Sequence, residues 1–197
     1  MKSKVTLTAL VFAWLIYAAP GMAQDQAQPK HSNIGLKLNL GLGSQDFTRS
    51  QDWEKGEAAS LSLGYGVSQQ VTFWLGVQGS SHVHEQNPNL KGDLVGVELA
   101  LQYKLRPYER LRPYGKIGLG GFLLGTEATD TVLNGNGITW AVGAEHRLTR
   151  FFTIGLELFW KDFDYTKIKV GNNGDFTDLD RPQQGNTRGL MLNFTLH

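Results

Sequence analysis

The chain has 197 residues, 41% of them hydrophobic and 11% aromatic, a formal net charge of +1 and no cysteine. That length suits one domain. The missing cysteines exclude a disulfide scaffold, and the near-neutral charge offers no basic footprint for nucleic acid. Glycine stands at 24 residues, where average usage of about 7% would give roughly 14.

Lys2 and Lys4 form a basic start, an apolar run follows from Val5 to Ala19, and Pro20-Gly21-Met22-Ala23 closes it. This is the basic, apolar, small-residue order of a secretory signal peptide, and the run is short for a membrane-spanning helix, which needs roughly 20 residues. The expected organisation is a signal peptide over 1–23, a periplasmic tail over 24–33 and one barrel over 34–197. With no cysteine near the cleavage position, a lipoprotein anchor is not expected. Removing Lys2 and Lys4 brings the charge to about −1.

From there the period is two. Ile34, Leu36, Leu38, Leu40 and Leu42 alternate with Gly35, Lys37, Asn39, Gly41 and Gly43. Such alternation is the mark of a strand with one apolar and one polar face. It returns at Ala59–Val67, Val71–Gln78, Val95–Lys104, Lys116–Leu123, Ile138–Arg147, Phe152–Lys161 and Gly189–Leu196. That makes eight strands. The connections after the second, fourth and sixth are short: Ser68–Gln70, Arg106–Arg112 and Thr149-Arg150. Those after the first, third, fifth and seventh are long and polar: Ser44–Gly56, Ser80–Lys91, Thr126–Asn136 and Asp164–Gly185. Short turns on one side and long loops on the other are the asymmetry of outer-membrane barrels. The predicted fold is all-β, an eight-stranded antiparallel up-and-down transmembrane β-barrel preceded by a signal peptide.

A soluble barrel with apolar residues inside shares this alternation. The composition of the second face argues for the inverted, membrane arrangement. It mixes glycine with Lys37, Glu98, Lys104, Lys116, Glu145, Arg147, Glu157 and Lys161. In a narrow eight-stranded lumen, small residues make space and charges of opposite sign pair. These eight residues are the predicted structural charge network, with Glu98, Glu145 and Glu157 expected to pair with Lys37, Lys116, Arg147 or Lys161. Aromatics near strand ends are expected to form interfacial girdles: Tyr65, Phe73, Tyr103, Tyr108, Tyr114, Trp140, Phe151, Phe152, Trp160, Phe163 and Tyr165. About 11 residues per strand at ~3.3 Å, tilted near 40°, rise roughly 28 Å, close to the apolar band of such barrels.

The run Leu111-Arg112-Pro113-Tyr114-Gly115-Lys116-Ile117-Gly118-Leu119-Gly120 resembles the arginine-proline-tyrosine entry and glycine-alternating strand of the small outer-membrane barrel family that includes the OmpA transmembrane domain, OmpX and the opacity proteins. Thr187-Arg188-Gly189-Leu190-Met191-Leu192-Asn193-Phe194 resembles the terminal-strand signal that the barrel assembly machinery reads, although the chain runs on through Thr195 and Leu196 to His197. The resemblance covers the whole mature chain. It implies the cell outer membrane, contact with outer-membrane lipid and lipopolysaccharide, and delivery by the assembly machinery through the C-terminal strand.

Some barrels of this size are lipid A deacylases or palmitoyl transferases, and Ser80, Ser81, His82, His84 and Glu85 are the candidates for a Ser–His–acid constellation. A polar segment that contains two histidines is the simpler reading, and His31-Ser32-Asn33 lacks the spacer of the deacylase signature. His82 and His84 alone do not make a metal site. The spacing of Asp175, Asp178 and Asp180 does not match a calcium loop. Gly118-x-Gly120-Gly121 lies within a strand, unlike a phosphate loop. No catalytic, cofactor-binding or metal residues are therefore predicted. The expected role is a non-enzymatic surface barrel, structural, adhesive or surface-interacting through its extracellular loops, with an unknown surface ligand. The alternatives are a lipid A-modifying enzyme and a narrow small-solute porin.

Overall fold

A computed structural model describes residues 33–48, 53–126, 130–171 and 174–197. The expected signal peptide over 1–23, and all of the expected tail except Asn33, lie outside the described residues. Eight strands follow one another: β1 (Gly35–Phe47), β2 (Gly56–Gly66), β3 (Val71–His84), β4 (Asn87–Lys104), β5 (Leu111–Thr126), β6 (Thr131–Arg147), β7 (Phe152–Val170) and β8 (Thr177–Leu196). Each pairs antiparallel with its sequence neighbour, and β1 pairs with β8 from Leu38↔Leu196 to Phe47↔Thr187, so the sheet closes on itself. Closure removes the sheet edges that an open structure would expose to lipid.

The apolar face points outward. Leu36, Leu99 and Leu119 are 64%, 59% and 66% exposed, and leucine, isoleucine and valine from all eight strands share that surface. Such a continuous apolar surface demands a hydrocarbon environment. The opposite face is buried and carries Lys37, Gln102, Lys104, Arg112, Glu145, Glu157 and Lys161.

The short turns are set by side-chain oxygens. Ser68 Oγ accepts from the backbone N–H of Gln70 (3.2 Å) and Val71 (3.0 Å). Thr149 Oγ1 accepts from Phe151 (3.2 Å) and Phe152 (3.1 Å). These are hydroxyl-capped turns that need few residues.

The expected long loops are largely strand. β3 and β4 run to a turn at Glu85-Gln86, taking in most of Ser80–Lys91. Thr126 pairs with Thr131, so β5 and β6 take in most of Thr126–Asn136. β7 continues to Val170, and β8 starts at Thr177. The reason is visible along the outward positions. Leu42 is followed on its face by Ser44 and Asp46, Trp160 by Asp162 and Asp164, and going toward the same end Leu190 gives way to Arg188 and Val95 to Asp93 and Lys91. The strands outrun the membrane, and there the outward face meets water.

Beyond Asn186, whose carbonyl accepts from the Thr48 N–H, β8 is paired to β7 alone among the described residues, since its ladder with β1 ends at Thr187. Pro182 and charged side chains sit on this stretch, which is how natural sheets blunt an open edge. The β7–β8 register shifts between Tyr165 and Lys167, with Gln183 opposite the first and Asp178 opposite the second. Leu179, within that bulge, packs toward the barrel axis against the aromatic cluster described next.

Candidate functional site in the barrel lumen

The lumen is filled in layers. At the short-turn end, Glu145 Oε1 lies 2.6 Å from Lys104 Nζ and 2.9 Å from Arg112 Nη2. Lys104 also donates to Asn33 Oδ1 at 2.7 Å, and Asn33 Nδ2 donates to Ser68 O and Thr72 Oγ1. Asn33 thus fixes the entry of the chain into the barrel mouth. Gly66 permits this, because a Cβ there would collide with the Asn33 carbonyl. Lys37 Nζ is 2.6 Å from His197 Nδ1, and His197 Nε2 is 2.8 Å from Thr153 Oγ1.

In the middle, Lys116 Nζ meets Glu157 Oε1 at 2.7 Å, and Tyr114 donates its hydroxyl to Glu157 Oε2 at 2.9 Å. Trp74 Nε1 donates to Gln102 Oε1, and Asn39 bridges Asn193 and Thr195. These polar side chains enclose a cavity of about 60 Å³, room for a few waters. One layer further out, Lys161 Nζ lies 3.3 Å from Glu98 Oε2 and donates to Gln78 Oε1 at 2.6 Å. The same ammonium sits 5.1 Å from the Phe122 ring centre and 5.6 Å from that of Phe159.

Above Lys161 the interior turns apolar. Phe47, Leu94, Phe122, Phe163 and Tyr165 form one buried cluster, with Trp53, Leu124, Leu133 and Leu179 against it. Phe122 and Phe163 stack at 4.8 Å, and Phe163 meets Tyr165 edge-on at 5.2 Å. Phe163 fits because Gly185 faces it; a Cβ at Gly185 would strike its ring, and one at Gly137 would strike the Phe163 Cβ and the Asp162 carbonyl. Many of the glycines counted in the sequence are such slots for inward aromatics.

The predicted network residues therefore share the lumen, with different partners in one layer. The partners of Glu145 are Lys104 and Arg112; Lys37 faces His197 instead. Arg112, at the end of the expected connection Arg106–Arg112, has the same parity as Tyr114, Lys116 and Gly118, and that parity is the signal available. The girdle expectation needs the same kind of correction. Tyr114, Phe163 and Tyr165 are buried inside, at 5%, 3% and 4% exposure, while Tyr65, Phe73, Tyr103, Tyr108, Trp140 and Phe151 face outward. Trp140 and Trp160 stack at 4.5 Å across β6 and β7, and Phe152 and Phe194 at 6.3 Å across β7 and β8.

Ser80 and His82 lie inside, near the outer end. Ser80 Oγ is 3.0 Å from His82 Nε2, and His82 Nδ1 is 3.1 Å from the Glu54 carbonyl. A backbone oxygen thus stands where a triad would hold an acid. His82 is fully buried beneath Phe47, whose ring centre is 4.6 Å away. His84 instead stands beside Trp53, with ring centres 5.6 Å apart, and Ser81 and Glu85 are exposed. Asp175, Asp178 and Asp180 are exposed near the start of β8. Among the described residues no group of three or more His, Asp or Glu could hold a metal ion.

Residues 11–194 match the outer membrane protein beta-barrel domain. Among solved structures, OprG from Pseudomonas aeruginosa aligns with a TM-score of 0.59 at 12% identity, over 87% of this chain and 98% of that one. Neisserial surface protein A aligns with a TM-score of 0.51 at 13% identity, over 82% and 94%. At those identities the likeness is one of fold. No curated protein sequence matches the chain. The chain belongs to the outer membrane protein beta-barrel domain family and resides in the cell outer membrane.

Proposed function

We propose that the protein is a non-enzymatic surface barrel whose extracellular hairpins carry a structural, adhesive or ligand-binding role. The observation that carries this reading is the height of the wall above the membrane. From Asp162 to Val170, β7 continues for nine residues beyond Trp160, roughly 30 Å of strand at ~3.3 Å per residue. Asp162 and Asp164 point outward while Phe163 and Tyr165 stay packed inside. Binding function concentrates on such projections from a rigid scaffold. Fold alone assigns no ligand.

Two features weigh against the alternatives. The Ser80–His82 pair is buried under Phe47, away from the lipid-facing surface on which a lipid A-modifying enzyme would work. The lumen is filled by the aromatic cluster at one end and crossed by the Asn33–Lys104–Arg112–Glu145 layer at the other, which counts against a small-solute porin. Lipid and lipopolysaccharide are the partners proposed for the outward apolar face. The assembly machinery is the partner proposed for β8, whose Leu190, Leu192, Phe194 and Leu196 continue the outward apolar row.

The test removes the tip. Residues Ile168 to Thr177, which close the β7–β8 hairpin, are replaced by Asn-Gly. The expected result is a heat-modifiable barrel in the outer membrane, reduced attachment of expressing cells to host-cell and matrix surfaces, and a lipid A mass profile that is the same with and without the protein. A protein-dependent change in lipid A acylation would overturn the reading in favour of the enzyme.

A further inference from the structure

Two of the three short turns are unlike turns that end in water. Leu105 and Tyr108 on the β4–β5 turn, and Leu148 and Phe151 on the β6–β7 turn, are 53–57% exposed. Turns in water are ordinarily built from small or polar residues, as the third short turn is, Ser68-Gln69-Gln70. The two apolar turns are neighbours: the Arg147 N–H donates to the Arg110 carbonyl at 3.0 Å, which joins the foot of one to the foot of the other. Each also carries an exposed arginine, Arg110 and Arg150. The Arg150 guanidinium lies 4.3 Å from the centre of the Phe151 ring. The backbone beneath it is held by the Thr149 hydroxyl, which accepts from the Phe151 and Phe152 N–H groups.

Large exposed apolar side chains beside exposed guanidinium groups suit one boundary, where hydrocarbon gives way to phospholipid headgroups. His146, exposed and in register with Leu111 and Ile154, ends the outward apolar row of β6 at that depth. Two carboxylates outside the lumen share these turns. Glu109 is engaged by Arg106 at 3.4 Å. The other is the chain's own C-terminus, since the His197 N–H donates to the Phe151 carbonyl; it offsets at most one of the two exposed arginines. Residues 24–32 hold Asp25 and Lys30 and add no net charge. Among the described residues neither Arg110 nor Arg150 is in an ion pair.

We propose that the β4–β5 and β6–β7 turns form an interfacial surface that selects anionic phospholipids of the periplasmic leaflet. Arg110 and Arg150 each offer a guanidinium to headgroup phosphate, and Leu105, Tyr108, Leu148 and Phe151 lie at the head of the acyl chains. The selection is confined to this side of the barrel, because the Ser68–Gln70 turn carries neither charge nor apolar side chain. The proposal rests on the reading of lipid as the partner of the outward apolar face; it names which lipid and where. It is independent of the surface role of the hairpins, which lie at the other end.

The experiment uses the protein assembled in the outer membrane, extracted in a zwitterionic detergent and offered phosphatidylglycerol and phosphatidylethanolamine in equal amounts. Native mass spectrometry counts the lipids retained. Wild type should retain phosphatidylglycerol in preference. Arg110→Gln and Arg150→Gln, both at exposed positions, should fold with normal heat-modifiability, and each should lower the preference about fivefold. Lys91→Gln, an exposed cation on the outward face at the other rim, should leave it unchanged. Wild type that retains the two lipids equally overturns the proposal while leaving lipid as the partner of the apolar face. Wild type that holds neither lipid overturns that reading and the proposal with it. A double Arg110→Gln, Arg150→Gln variant with the wild-type preference, or an equal loss in Lys91→Gln, overturns the placement on these turns. A lipid-free dimer that depends on the two arginines would assign the surface to a second copy of the chain and overturn the proposal as well.

Discussion

Along each strand the barrel divides into two stories of opposite polarity. Below the line through Leu42, Val95, Trp160 and Leu190 the outside is apolar and the inside is charged. Above it the outside carries Asp46, Asp93, Asp162 and Arg188, and the inside carries Phe47, Leu94, Phe163 and Tyr165. β7 shows the change within a few residues: Glu157 and Lys161 point in while Leu156 and Leu158 point out, and then Phe163 and Tyr165 point in while Asp162 and Asp164 point out. The backbone geometry is unbroken at the crossing. What changes is the solvent outside, hydrocarbon below and water above, and the inside changes to complement it. The lower story is held by ion pairs in a narrow lumen and the upper by aromatic packing of the kind found in soluble barrels.

The largest expected effect comes from the lower lumen. Glu145→Leu leaves Lys104 and Arg112, both almost fully buried, without their carboxylate. Breaking a buried pair by removing one partner costs about 3–5 kcal/mol. Urea unfolding in lipid vesicles should show a loss of that size, whereas Val142→Leu, on the outward face of the same strand, should change little. Equal stability of the two variants would mean that lumen charge does not hold the lower story together.

Next comes the outward face of β7. Leu156 is 51% exposed to the region assigned to lipid, so Leu156→Arg should cost about 2–4 kcal/mol if it lies near the midplane. The same unfolding measurement reads it. A neutral result would require that surface to face water and would remove the distinction between the stories.

Phe163→Ala attacks the upper story. It empties the space over Gly185 and removes the stack on Phe122. Core Phe→Ala changes cost about 3–5 kcal/mol in a globular interior, but here the damage is confined to one end, and the net effect on assembly should be smaller. Heat-modifiability should persist while proteolysis of the outer hairpins speeds up. If the variant fails to enter the membrane at all, the stories are one cooperative unit.

The lower story was legible in the sequence because each strand meets lipid on one face and a crowded lumen on the other. Period-two alternation with glycine and mixed charge reports that pair of environments directly. The upper story was not legible as strand. The run Trp160-Lys161-Asp162-Phe163-Asp164-Tyr165 still alternates, but the apolar residues have moved to the other parity, so a reading that follows one face sees the pattern end. Asp164–Gly185 then looks like loop, and Phe163 and Tyr165 look like girdle residues. The lumen residues were legible by parity, Arg112 included, although the connection Arg106–Arg112 was drawn to take it in. Which cation meets which carboxylate was not legible, because partners across the lumen depend on strand tilt and stagger, which no single strand encodes.

The smallest effect is the sharpest discriminator. Asp164 occupies the same strand and the same outward face as Leu156, eight positions on, and is exposed. Its register neighbours are Asn136 and Gln184, both polar. If that face meets water, Asp164→Lys exchanges one solvated charge for another, and such surface changes fall within about 0.5 kcal/mol. Urea unfolding in vesicles should leave the midpoint where it was, and heat-modifiability should be unchanged. In hydrocarbon the lysine would carry a cost of the order expected for Leu156→Arg. A large loss at Asp164 would therefore place the membrane boundary above the Trp140–Trp160 stack, and it would make the aromatic cluster a part of the spanning barrel.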